Sequence, residues 1–337
     1  MRPTILKLLL LVFFTSMPAW GSDNLSQCSN EIDGMERLKC YDSLNASRAK
    51  ALHDKSVTLA ERSFLTRSWD LDNMDEDLLG DEQSPLKSHR VSYLIARQSN
   101  DENSRPYSPS YGSYSPPIDI NLAEMKFQFS QKAKFLNPVK INQFGISSLR
   151  FWGAYSQQSN WQAFNTANST PFRETSYEPE LILMLNTGNA QGIKLVNFGY
   201  LHQSNGRNSL LSRSWNRFYL QSGWENDTVA VLLRGWWRVP EKAADDDNPD
   251  IVEYMGRGDL NLRWEPLDRS QVINLTLRNN FNAYENRGYM QLDWATPVFL
   301  SKSAKLHIQL TIGHGESLID YNFFQRTFGI GASFRDW

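Results

Sequence analysis

From about Val91 to the end of the chain, apolar and polar positions alternate with a period of two. Successive side chains of a β-strand point to opposite faces, so this period predicts strands with one apolar and one polar side. Leu306, Ile308, Leu310 and Ile312 alternate with Lys305, His307, Gln309 and Thr311. Ile273, Leu275 and Leu277 alternate with Asn274, Thr276 and Arg278; Met290, Leu292 and Trp294 alternate with Tyr289, Gln291 and Asp293. Tyr254, Leu260, Leu262 and Trp264 stand against Arg257, Asp259, Asn261 and Arg263, while Val229–Arg234 is only weakly sided. Twelve strands are predicted, near 89–98, 124–133, 148–159, 177–186, 194–204, 215–223, 227–238, 254–264, 271–279, 287–296, 303–312 and 326–336. Short turns (Gly223–Asp227, Leu267–Ser270) alternate with longer loops (99–123, 160–176, 239–252).

A two-sheet sandwich would bury one face of each strand and wet the other, so alternation alone leaves two architectures open. Three features favour a membrane barrel. Arg, Asp and Gln stand at strand centres on the polar face, as a polar lumen requires. Aromatic residues recur near strand ends, where interfacial girdles lie. The count is even, with short and long connections in turn. The expected fold is therefore all-β: a twelve-stranded antiparallel transmembrane β-barrel, spanning 88–337. The mean hydropathy is that of a soluble protein, which a barrel with a polar lumen matches.

The region before the barrel is of another kind. Met1–Gly21 has Arg2 and Lys7 in front, LLLLVFF in the middle and Ala19-Trp20-Gly21 at its end. That is the pattern of a secretory signal peptide, with an apolar stretch too short to span a bilayer as a helix. Residues 22–87 are rich in Asp, Glu, Lys, Ser and Leu, with a helical pattern around Ile32–Leu44 and an acidic stretch, SWDLDNMDEDLLGDEQSP. They read as a small periplasmic extension, or plug-like appendage, followed by a linker. The two cysteines, Cys28 and Cys40, are expected to form a local disulfide in an oxidising compartment. The formal charge of −2 falls to about −4 once Arg2 and Lys7 are removed, which gives no basic signal for nucleic acid.

Candidate chemistry lies in Tyr200–Arg217, YLHQSNGRNSLLSRSWNR. His202 and Ser204 share a strand face, and a hairpin through SNGR would bring Asn216 alongside on the next strand. A hydroxyl, an imidazole and an amide would then converge, as an activated serine nucleophile requires. Val196, Phe198 and Tyr200 share the parity of His202, and Phe218 and Leu220 share that of Asn216. In a barrel this apolar stripe faces lipid, where polar groups are costly and tend to be functional. An active site there would meet the headgroup and ester region of the outer leaflet.

HQSNGR…SRSWNR resembles the outer membrane phospholipase A family, and the likeness extends to PFRETSYEP, DDNPDI and GESLIDYNF. It covers roughly 89–337. The resemblance implies a twelve-stranded outer-membrane barrel that hydrolyses acyl esters of phospholipids, needs Ca2+ and acts as a reversible homodimer. It implies Ser204 as nucleophile, His202 as general base, Asn216 as the residue orienting the imidazole, and a Gly206 N–H in the oxyanion hole. It further implies a catalytic calcium held by backbone carbonyls at Arg207 and at Ser169 of the partner subunit and by the Ser212 hydroxyl. Asp247 is implied near a second metal position, and Gln157 as a membrane-facing dimer contact. Gln157 also continues the outward parity of Leu149, Phe151, Gly153 and Tyr155. In one place the chain departs from the family: Asn208-Ser209-Leu210 stands where an aspartate is frequent.

Other candidates carry less. His307 is parity-matched to the lumen and is expected to be hydrogen-bonded there, while His53, His89 and His314 suggest no chemistry. Arg207, Arg213 and Arg217 are candidates for contact with the phosphates of lipopolysaccharide or phospholipid, the alternative being simple solvation. The alternative to a lipid-ester hydrolase is a non-catalytic barrel, a channel or structural protein. A channel needs a wide lumen, which twelve strands with Arg, Asp and Gln inside would largely fill.

Overall fold

The computed structural model describes residues 28–29, 31–45, 62–72, 86–136, 138–189, 192–298 and 301–334. The expected signal peptide, 1–21, lies outside the described residues. Residues 28–45 belong to a separate compact unit, where 34–45 are helical and Cys28 is disulfide-bonded to Cys40 as expected.

Twelve long antiparallel strands close into a barrel: β1 (Tyr93–Ser99), β2 (Ala123–Lys134), β3 (Ile146–Trp161), β4 (Phe172–Asn186), β5 (Ile193–Ser204), β6 (Ser214–Glu225), β7 (Val229–Arg238), β8 (Gly258–Trp264), β9 (Val272–Asn279), β10 (Gly288–Val298), β11 (Ser301–His314) and β12 (Phe324–Phe334). Each pairs with its sequence neighbour, and β12 returns to β1 from Thr327↔Ser99 to Ser333↔Tyr93, which removes the open edge. Two short pieces, Lys87–Ser88 and Val139–Gln143, extend the sheet on β2 and β3. No helix among the described residues is long and apolar enough to cross a membrane. The strands do the crossing: β5 has 12 residues, and a tilted strand needs about 9–11 to span the hydrocarbon layer.

Parity places the side chains as the alternation predicts. On β5, Leu195, Asn197, Gly199, Leu201 and Gln203 are buried inside, while Phe198 and Tyr200 are exposed outside. Phe151, Leu181, Phe218, Leu220, Leu233, Leu310, Phe328 and Ile330 continue an apolar exterior that water would not tolerate over so large an area. The interior is charged and paired. Arg173 holds Glu124 at 2.9 Å and also Asp320, Arg97 holds Glu124 and Glu316, and Lys126 holds Glu316 at 3.0 Å. Such groups can be buried only because each has an opposite charge in reach.

The segment 315–321, part of the GESLIDYNF stretch, folds into the barrel mouth that lies beside the hairpin end of β5 and β6. Glu316, Leu318, Ile319, Asp320 and Tyr321 are all buried there. At the opposite mouth α1 (Phe64–Trp69) tucks Leu65 and Trp69 against Trp152, Ile182, Met184 and Leu195. Glu225 receives its first turn, accepting from Leu65 N at 2.6 Å, Thr66 N at 3.0 Å and the Ser63 and Thr66 hydroxyls at 2.7 Å each. Between these two segments lies a cavity of about 740 Å3, whose lining includes Arg90, Glu178, Arg234, Asp259, Arg278 and Asp293.

One strand prediction needs correction. The segment 254–264 begins as a helix, α2 (Ile251–Met255), and the strand starts only at Gly258. Ile251 and Met255, four residues apart, bury together in an inner cluster with Trp215, Trp236 and Tyr321. Gly256 then ends the helix at φ +79°, where a side chain would lie 2.3 Å from the Asn279 carbonyl oxygen. Tyr254 matches the strand parity by coincidence.

Candidate active site

β5 and β6 are joined by residues 205–213, and the hairpin register sets Asn216 directly opposite His202 and Ser214 opposite Ser204. All three candidates point outward and are half-buried. His202 Nδ1 lies 2.8 Å from Asn216 Oδ1. The same oxygen accepts a hydrogen bond of 2.8 Å from the Tyr200 hydroxyl, and Asn216 Nδ2 donates to Glu241 Oε1 at 3.2 Å. Ser204 follows His202 by two residues on the same face, and no hydrogen bond joins its hydroxyl to the ring among the described contacts. Tyr177 on β4 pairs with Ser204 and, on its other side, with Gln157 on β3. One row across the barrel exterior thus runs Gln157, Tyr177, Ser204, Ser214.

The connecting loop is held by Asn205, which is buried. Its side chain accepts from Arg207 N at 3.2 Å and Arg213 N at 3.0 Å, and donates to the Leu211 carbonyl at 2.8 Å. Gly206 stands exposed beside Ser204 at φ +62°, and a Cβ there would lie 2.9 Å from the Tyr177 ring. A side chain is therefore disfavoured twice, by conformation and by contact.

The expected metal ligands are partly brought together. Ser212 donates to Asp247 Oδ2 at 2.6 Å, and Tyr111 donates to Asp247 Oδ1 at 2.6 Å. Ser214 lies 3.5 Å from the same carboxylate. Arg207 begins the same loop, and its guanidinium spans 2.8 Å to the carbonyls of Phe172 and Arg173. Ser169 is exposed on the β3–β4 loop after a 3-10 turn (Thr166–Asn168), with no described contact to Ser212 or Asp247. Gln157 faces outward, half-buried, accepting from the Tyr155 hydroxyl at 3.0 Å.

Two of the three arginines proposed to meet lipid phosphate face elsewhere. Arg213 is buried and spent on the carbonyls of Tyr107, Leu210 and Ser212 at 2.9, 3.1 and 2.7 Å. Arg217 points inward by parity, lying 3.7 Å over the Trp215 ring and donating to Gln203 at 2.9 Å. His307 is buried against Asp293 at 3.0 Å, as its parity predicts. His89, which sequence left without a partner, lies 3.0 Å from Glu180 inside the barrel. The sequence reading also missed Tyr200, Asn205 and Glu241. Tyr200 was visible by parity, two residues before His202; Glu241 lies in an irregular loop where no period operates.

A family model described as Phospholipase A1 matches residues 65–334. Phospholipase A1 of Escherichia coli K12 is 35% identical over 254 residues, covering 74% of this chain and 82% of that protein. A putative phospholipase A1 of Neisseria meningitidis is 34% identical over 284 residues, covering 81% of this chain and 70% of that protein. Among solved structures, outer membrane phospholipase A from E. coli superposes with a TM-score of 0.64 at 33% identity, covering 79% of this chain and 97% of that one. The Salmonella typhi outer membrane phospholipase, a dimer with bound calcium, gives 0.62 at 32% identity, covering 75% and 93%. A further solved form of the E. coli protein carries an asparagine-to-alanine change in its active site. The chain belongs to the phospholipase A1 family of outer-membrane barrels.

Proposed function

We propose that this protein hydrolyses acyl esters of phospholipids in the outer membrane, with Ser204 as nucleophile, His202 as general base and Asn216 orienting the imidazole. The observation that carries the reading is the hydrogen bond from His202 Nδ1 to Asn216 Oδ1, formed beside Ser204 on an otherwise apolar exterior. Nδ1–H donating to the amide leaves Nε2 free to accept a proton. The Ser204 hydroxyl gives its proton to Nε2 as its oxygen bonds to the ester carbonyl carbon. The tetrahedral adduct collapses, the C–O bond to glycerol breaks, and His202 returns the proton to the leaving alkoxide, releasing a lysophospholipid. Water, deprotonated by the same nitrogen, then cleaves the acyl-serine and frees the fatty acid. The Gly206 N–H, held in place by the Asn205 bonds on either side of the loop, stabilises the carbonyl oxygen as it gains charge. Neither glycerol position is singled out by these residues, which fits both A1 and A2 cleavage and lysophospholipid as a second substrate.

Ca2+ suits the donor set. The Ser212 hydroxyl and the Asp247 carboxylate already share a hydrogen bond, and both are hard oxygen ligands. With the Arg207 carbonyl and Ser169 of the partner subunit they would hold the ion, which when bound supplies positive charge near the developing oxyanion. Ser169 stands apart from the others in one chain, which supports a ligand set completed across a reversible homodimer. Gln157, an amide at the end of the apolar outward stripe of β3, would gain a partner at that contact. The active site then faces the outer leaflet, on a barrel of residues 88–337 preceded by a signal peptide (1–21) and an extension (22–87). The test is product analysis on mixed phospholipid micelles with and without calcium: free fatty acid should appear only with the metal, and calcium-independent release would contradict the metal's role.

A further inference from the structure

We infer that Glu241 is a positioning residue for the reaction, fixing through Asn216 which ring nitrogen of His202 carries the proton. The inference rests on the catalytic reading above. A primary amide can present either its oxygen or its nitrogen to a neighbour, and the two orientations are nearly equal in shape. For Asn216 the difference is decisive: Oδ1 toward His202 demands Nδ1–H and leaves Nε2 as the base, whereas Nδ2 in that place would demand the opposite tautomer. An ionised carboxylate only accepts hydrogen bonds, so Glu241 Oε1 at 3.2 Å requires the nitrogen on its side. The Tyr200 hydroxyl at 2.8 Å supports the oxygen on the other side. The loop bearing Glu241 is tied to the same residue, since Val239 N donates to the Asn216 carbonyl at 2.8 Å. Partial burial raises the carboxyl's pKa above the ordinary value; Arg238 and the Asn216 hydrogen bond favour its ionised form, and Asp246 and Asp247 oppose it.

The test compares Glu241→Leu, Glu241→Gln and Tyr200→Phe in the full-length protein, in calcium-containing micelles. Glu241→Leu removes the acceptor and should lower kcat by roughly tenfold or more, with KM unchanged, because a misaligned base costs turnover rather than binding. Labelling of Ser204 by a sulfonyl fluoride should slow in step. Glu241→Gln keeps an oxygen to accept from Asn216 and should stay within about threefold of the parent, since only an interaction of well under 1.4 kcal/mol is altered. Tyr200→Phe leaves Glu241 in place and should be milder than Glu241→Leu. Heat-modifiable gel mobility checks that each variant is folded. Parental kcat and labelling in Glu241→Leu would overturn the inference, as would a Gln variant as slow as the Leu one. Ser204→Ala separates the two levels: hydrolysis persisting there removes the catalytic reading itself, whereas an inert Ser204→Ala beside a fully active Glu241→Leu removes only the role of Glu241.

Discussion

Asn216 carries no charge, and this limits what it can contribute to His202. A carboxylate in its place would stabilise the imidazolium directly; an amide mainly fixes ring orientation and tautomer. Asn216→Ala should therefore reduce turnover less than His202→Ala does, measured as kcat on the same micelles, and equal losses would show that orientation is too small a role. The paired hydrogen bonds on Asn216, from His202 and to Glu241, make this a comparison of one network with and without its middle member. Gly206 offers a second test at the same scale. Its φ of +62° strains any side chain, a β-branched one most, and the Tyr177 ring 2.9 Å from a would-be Cβ must also give way in Gly206→Val. Displacing one oxyanion donor typically costs about 10²–10³ in kcat, and such a loss with intact folding is the expected result.

At the scale of elements, strand faces were legible and the inward turn of 315–321 was not. Period two on β5 and β6 was enough to place His202, Ser204 and Asn216 on one exterior face, because a strand has only two faces. The same rule put His307 inside. It failed where the chain leaves the sheet: the end of α2, Tyr254–Met255, was read as strand, and the inward turn of 315–321 was unforeseen, since burial there comes from ion pairs with distant residues and not from any local period. Arg213 was misjudged for the same reason; a loop arginine next to the site is spent on backbone carbonyls that only the folded loop gathers. The packing of α1 makes its own prediction. Glu225 accepts from two backbone amides and two hydroxyls of Ser63–Thr66, so Glu225→Ala strands buried donors and should cost about 1–3 kcal/mol. The readout is a lower midpoint for heat-modified mobility, with catalytic kcat at low temperature unchanged, because the site lies at the other end of β6.

For the whole molecule, the proposed placement of the site toward lipid raises the question of restraint, since an esterase always facing the membrane would digest it. A calcium ligand set shared with Ser169 of the partner subunit would leave a monomer with an incomplete site and little turnover. Crosslinking a Gln157→Cys variant in detergent, with and without calcium, should yield an active dimeric fraction and a nearly silent monomeric one; a trapped monomer working at the full rate would rule this out. α1 packs at one mouth of the barrel and residues 315–321 at the other, and paired charges cross the interior. The most direct test of the account is at Ser204. Wild-type protein in calcium-containing phospholipid micelles should release fatty acid and take up one sulfonyl group on the peptide containing Ser204. Ser204→Ala should fold with the same gel mobility, release none and remain unlabelled. Fatty acid release or labelling that survives the substitution would contradict the assignment of this serine as the nucleophile.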